Sequence, residues 1–222
     1  MRTIILGREG NQPFKIKDDF KQVSRHHAEI TIADDGKWSL KDTDSSYGTF
    51  IRDEESGDWI RVGNSQSITP MTFIKLGDER ANSCSFFAKQ VLDPGNFQKE
   101  HKYLRAKKKE FDEQQKKIEK FKELLNVGKI VLLVLCLALF ALYMKVGSDN
   151  NDTTGGALIR MFLISVVPSA LVQIIQMLYN PKKRMDDLKD KRLKFYLCPN
   201  PACGRRLTDE DIDAGACGKC GK

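Results

Sequence analysis

Ser24-Arg25-His26-His27-Ala28-Glu29-Ile30-Thr31-Ile32-Ala33 is the stretch on which the fold turns. From His27 onward apolar and polar residues alternate, the period-two pattern of a strand with one face buried. The turn Asp34-Asp35-Gly36 closes it, and Trp38-Ser39-Leu40-Lys41 begins another short run of the same kind. Working outward, similar runs predict strands at 3–7, 14–17, 27–33, 38–41, 49–51, 59–61, 72–76 and 85–89. Turn signals such as 53–57 and Gly77-Asp78 separate them. Many short strands at this spacing, with no helical period among them, predict an all-β sandwich over residues 1–98.

Four motifs lie in order along that sandwich. Gly7-Arg8 follows the first strand and Ser24-Arg25-His26-His27 precedes the third. Ser45-Ser46-Tyr47-Gly48-Thr49 enters a later one, and Ile74-Lys75-Leu76-Gly77-Asp78 closes the set. Residues 2–92 thereby resemble the forkhead-associated (FHA) domain, whose pattern is Gly-Arg, then Ser-x-x-His, then Ser-x-Asn-Gly-Thr. The resemblance implies binding of phosphothreonine, a group with nearly two negative charges and three acceptor oxygens. Guanidinium forks and short hydroxyls on loops suit that chemistry. By resemblance, Arg8 and Arg25 grip phosphate oxygens, while Ser24 and Ser46 donate hydroxyls. Gly7, His27, Gly48 and Thr49 brace the loops. Two departures stand out. The family's peptide-binding Asn is Tyr47 here, and a second family Asn falls at Arg52. A tyrosine offers one hydroxyl where an amide offers both donor and acceptor, so phosphopeptide specificity is expected to differ.

Beyond the sandwich the composition changes sharply. Residues 99–126 are densely charged, with Leu104, Phe111, Ile118 and Leu125 recurring every seven. That predicts a helical stalk with a seam one residue wide, serving either as a solvated spacer or for dimerisation. Residues 127–146 and 157–179 are apolar and long enough to span a bilayer. The connector 147–156 has no Lys or Arg, whereas basic residues crowd both outer flanks, including 180–196. The positive-inside rule then predicts a transmembrane hairpin with both ends in the cytoplasm. Residues 1–8 form too short an apolar run for a secretory leader. The net charge of +7 reads as topology and lipid contact. A nucleic-acid partner is not expected, because the basic flank after the second span already has that explanation.

Four of the six cysteines fall at Cys198, Cys203, Cys217 and Cys220. The spacing is C-x4-C, thirteen residues, then C-x2-C, with Gly after the second Cys of each pair. Residues 197–222 are similar to a zinc ribbon holding a structural Zn2+, with iron as the alternative. So small a module has no room for a full core and depends on metal for folding energy.

The sequence therefore predicts a non-enzymatic adaptor in a bacterial cell membrane. Its partners would be a phosphothreonine protein (a Ser/Thr kinase or its substrate), the lipid bilayer and a second protein at the ribbon. The oligomeric state is left open. No Walker-type glycine loop or nucleophile–base pair argues for catalysis. The alternative is a structural subunit of a membrane assembly, docking without phosphate.

Overall fold

A computed structural model describes residues 1–78, 82–147, 170, 173–175 and 177–222. Among them, eight strands build two four-stranded antiparallel sheets. Sheet A has the order β1-β2-β3-β6, from β1 (Arg2–Leu6), β2 (Ala28–Ile32), β3 (Trp38–Asp42) and β6 (Gln66–Ile68). Sheet B has the order β5-β4-β7-β8, from β4 (Thr49–Arg52), β5 (Trp59–Arg61), β7 (Phe73–Leu76) and β8 (Cys84–Phe87). Leu6, Ile30, Leu40, Ile74, Leu76 and Phe86 meet between the sheets, all fully buried. Each such side chain contributes about 1.5–3 kcal/mol on leaving water.

The strand expectations need three corrections. Residues 14–17 are not a strand. The Gln12 side chain straps them instead, its Nε2 donating to Gly7 O at 2.8 Å and Phe14 O at 3.3 Å. Phe14 still packs on Phe86, ring centroids 4.7 Å apart, and Ile16 is buried, so side chains hold this segment in place of ladder bonds. Strand β6 was not expected, since its three residues carry one apolar side chain. The last run ends at Phe87 and turns into a 3₁₀ helix, Ala88–Val91.

Sheet B is buried on both faces at β7, while its edge strand β5 is largely exposed. Strand β7 has all four residues buried, where a sheet with one wet face would alternate. Ile74 and Leu76 point into the sandwich, whereas Phe73 and Phe87 share the opposite face, ring centroids 4.7 Å apart. Helix α1 (Gln98–Gly147) helps to cover that outer face. Tyr103 meets Phe87 edge-on at 5.8 Å, and Leu104 is fully buried. Glu100 in its first turn accepts from Gln90 Nε2 at 2.6 Å and pairs with Lys89 at 3.5 Å. The rest of the cover comes from the end of α2 (Pro181–Phe195), whose Phe195 is 1 % exposed.

By compactness the chain divides into two units, residues 1–110 with 190–222 and residues 111–189. In the second, Ile118 and Leu125 of the expected seam line a groove with Met177, Pro181 and Met185, and Phe121 stacks on Tyr179 at 3.8 Å. Helix α1 covers the first apolar stretch, 127–146. Among the described residues, however, no helix is both long and apolar enough to cross a membrane. The second stretch, 157–179, lies mostly outside the described residues.

Residues 197–222 form two cysteine loops around α3 (Asp209–Ala214). A capping box starts α3: Thr208 Oγ1 accepts from Asp211 N at 3.2 Å, and Asp211 Oδ2 accepts from Thr208 N at 2.9 Å. The same carboxylate accepts from Gly218 N at 2.8 Å, which ties the helix to the second cysteine loop.

Candidate functional sites at the loop end and the cysteine centre

Three loops meet at one end of the sandwich. Between the first two the bonding is backbone to backbone, with Arg8 N donating to Ser24 O at 3.1 Å and Glu9 N to Arg25 O at 3.0 Å. Only a glycine permits this approach at position 7, because a Cβ there would sit 2.0 Å from Arg25 O. His27, fully buried, staples the second loop to the third. Its Nδ1 accepts from Ser24 N at 2.9 Å, and its Nε2–H donates to Gly48 O at 3.0 Å. Both bonds together need the neutral ring with its proton on Nε2. Burial lowers the His27 pKa and keeps the ring neutral, against the opposing pull of Gly48 O and of Asp42.

The third loop is organised by a residue that the sequence reading did not single out. Asp42 accepts from Ser45 N at 2.8 Å, Ser45 Oγ at 2.7 Å and Thr49 Oγ1 at 2.6 Å. Burial by itself would raise the Asp42 carboxyl, but these hydrogen bonds and nearby His27 hold it below the usual range. Ser45 Oγ in turn accepts from Gly48 N at 3.0 Å. The available signal was an Asp three residues before a Ser, a short polar side chain placed to accept from nearby loop backbone. Thr49 is thus a brace, and Gly48 takes φ 81°.

Against this scaffold the expected contact residues stand outward. Arg8, Arg25 and Ser46 are exposed and Ser24 is half-buried, while Tyr47 is 49 % exposed. Among the described residues, the Arg8 and Arg25 guanidinium groups have no hydrogen bond or ion pair. A recess at this end is lined by Glu9, Ser24, Arg25 and His26. It brings Ser24 and Arg25 together, with Arg8, Ser46 and Tyr47 on the flanking loops and outside its lining.

The other residue flagged as a departure, Arg52, is nowhere near solvent. It points from the outer face of sheet B and is 3 % exposed. Its guanidinium carbon lies 4.5 Å from the Phe73 ring centroid and 4.4 Å from that of Phe195. Nη1 donates to Phe195 O at 3.2 Å. A side chain whose sequence position suggested peptide contact therefore holds residues 194–195 instead.

The four C-terminal cysteines converge. Their sulfur atoms all lie within 4.8 Å of one another, with Cys198–Cys220 at 3.7 Å and Cys203–Cys217 at 3.9 Å. A tetrahedral zinc with Zn–S of about 2.3 Å sets sulfurs about 3.8 Å apart, so the donor set fits that ion. All four are free thiols. Gly204 and Gly221, each following the second cysteine of its pair, have φ of 57° and 65°. Backbone bonds shape each loop, with Cys203 N donating to Asn200 O at 2.9 Å and Gly221 N to Cys217 O at 2.8 Å.

Comparison with known proteins bears on the sandwich alone. No curated protein matches the chain. Solved structures similar to it include the FHA domain of CT664 protein from Chlamydia trachomatis, at 20 % identity and TM-score 0.27, covering 37 % of this chain and 70 % of that one. The FhaA FHA domain, solved in complex with the intracellular domain of Rv3910, is 26 % identical at TM-score 0.27, covering 37 % and 78 %. The FHA domain of an Arabidopsis thaliana hypothetical protein is 30 % identical at TM-score 0.28, covering 38 % and 63 %. The family model of the FHA domain matches residues 4–77, so the N-terminal sandwich, about a third of the chain, is of the FHA kind.

Proposed function

We propose that the chain is a membrane-anchored adaptor whose FHA-type domain captures phosphothreonine-bearing proteins. One observation carries this reading: Arg8 and Arg25 stand exposed, with no partner among the described residues, on two loops that Gly7 and His27 lock in place. A cation with no internal partner is held ready for an external anion, and a bidentate guanidinium suits phosphate oxygens. Ser24 lines the same recess and Ser46 stands on the facing loop. FHA domains are in general non-enzymatic modules of phosphothreonine-dependent interaction, and a kinase or its substrate is the expected partner. The test is titration of the full chain with phosphothreonine peptides and their unphosphorylated twins. Phosphate-dependent binding that Arg25→Ala removes is expected; equal binding of both sets would overturn the proposal.

A second reading, phosphate-independent docking within a membrane assembly, draws on Glu9. Its carboxylate lines the recess beside Ser24 and Arg25, where a dianion would be repelled. In the same titration, Glu9→Gln strengthens phosphopeptide binding on the first reading and leaves it unchanged on the second.

Membrane anchoring is supported by the apolar half of α1, where Val127, Ile130, Val131, Leu133 and Leu137 are each more than half exposed. Such a face is costly in water and stable in lipid. With basic residues on both flanks, both ends fall in the cytoplasm. Flotation of the full chain with vesicles, resistant to alkaline extraction, is the expected result.

At the cysteine centre, Cys198, Cys203, Cys217 and Cys220 would hold Zn2+ as a closed structural site. Among the described residues, the ligand atoms that gather there are these four thiols, and the nearby Asp211 carboxylate is engaged by Gly218 N at 2.8 Å. The bound ion would supply cross-linking energy to a small module, and residues 195–222 would do the remaining packing.

A further inference from the structure

Phe73 and Phe87 make the outer face of sheet B an aromatic floor, 1 % and 0 % exposed. The segment that enters the cysteine module lies on it. Arg52 stands at the centre of this contact, its guanidinium between one ring of the floor, Phe73, and one ring of the segment, Phe195. A buried cation is costly unless ring faces and carbonyl oxygens surround it. Here the second ring and the accepting carbonyl both belong to Phe195, three positions before Cys198. Gly57, in the turn between β4 and β5, lets that ring approach: a Cβ there would lie 2.8 Å from it.

Further bonds fasten the module along its length. Lys194 Nζ pairs with Asp58 at 2.7 Å. Arg105 of α1 donates to Ile212 O at 3.0 Å and Asp213 O at 2.9 Å, which secures the end of α3. His101 Nε2 donates to Lys222 O at 3.1 Å, and that same oxygen also accepts from Cys217 N at 2.9 Å. The entry, the helix and the second cysteine loop are thus each held by the sandwich or the first turns of α1.

We propose that sheet B and the start of α1 are the template on which the metal centre assembles, with Arg52 as its positioning residue. Arg52 fixes the backbone leading into Cys198 and so keeps the four sulfurs gathered for one cation. The inference rests on the zinc reading above. Linkage makes the effect reciprocal: whatever factor the clasp adds to metal affinity, the metal returns to the clasp, and so to the sandwich.

The experiment uses the full chain loaded with Zn2+ or Co2+. It follows metal loss to an excess of chromogenic chelator, the Co2+–thiolate spectrum, and thermal melting by Trp38 and Trp59 fluorescence with and without metal. Arg52→Met, which keeps bulk but removes the charge and its hydrogen bonds, is expected to release metal about tenfold faster. Arg52→Lys is expected to recover part of that loss. Chelation is expected to lower the melting of the native sandwich and to shift the Arg52→Met sandwich less. If Arg52→Met does not fold, Phe195→Leu, which keeps the carbonyl and removes one ring, is expected to show a smaller acceleration of the same sign. Metal release at the native rate from a folded variant, or native melting indifferent to chelation, overturns the proposal. A native chain that takes up neither ion overturns the zinc reading itself, and this inference with it.

Discussion

Arg25 and Arg52 are the same residue in two opposite settings. Arg25 lies at the loop end, exposed and with no side-chain partner among the described residues, on a braced backbone: Glu9 N donates to its carbonyl and His27 braces the loop beside it. Arg52 lies at the far end of β4, buried between two rings and bonded to a carbonyl. The first side chain has its hydrogen-bonding capacity to spend on something outside the chain. The second has already committed its guanidinium to the Phe73 and Phe195 rings, and one donor to carbonyls 142 and 143 positions away. Family position alone does not tell a contact residue from a clasp; what the guanidinium faces does.

The comparison can be broken first at the clasp. Arg52→Ala is expected to cost about 3 kcal/mol of folding stability, since it opens a cavity and strips partners from two aromatic faces and a carbonyl. Chemical denaturation would read this, and a change below about 0.5 kcal/mol would mean that the clasp carries no load. Arg25→Ala is expected to behave in the opposite way, with stability within about 0.5 kcal/mol of native. Its phosphopeptide affinity, measured by fluorescence anisotropy, should fall about a hundredfold as charge-assisted bonds are lost.

Acid should separate the regions next. The His27 pKa is lowered by burial, so the folded loop end resists the proton more than the unfolded chain does. Its contribution to stability is complete above the ordinary histidine value of about 6.5 and is lost as pH falls below it. His27→Gln is expected to flatten that part of the stability–pH curve, and an unaltered slope would remove the staple from the account. The smallest effect belongs to the rim of the clasp. Lys194 and Asp58 are 42 % and 62 % exposed, and Lys194→Ala is expected to change stability by less than about 1 kcal/mol.

Much of the sandwich was legible in the sequence because alternation and turn residues are local signals. Strands β2, β3, β4, β5 and β7 fall where the period-two runs placed them. Three-residue β6 has no room for a period, and 14–17 alternates without joining a ladder, held by the Gln12 bond to Phe14 O and by the packing of Phe14 and Ile16. The motif drew attention to the loop end, where Gly7, His27 and Thr49 sit in the bonding that their types allow. The docking was not read. Its signal was present in β7 and β8, where Phe73 and Phe87 sit opposite Ile74 and Phe86 and so demand a second cover. The apolar run Phe195-Tyr196-Leu197 beside a basic segment was the other half of that signal. Neither half names its partner, because contacts more than a hundred residues apart leave no period to follow.

The aromatic floor of sheet B has a consequence for the order of synthesis. Phe73 and Phe87 leave the ribosome about a hundred residues before Phe195, so the finished sandwich spends that interval with only the start of α1 over its aromatic floor. Nascent chains cut short of residue 190 should therefore clump or recruit holding chaperones, even though every strand is already made.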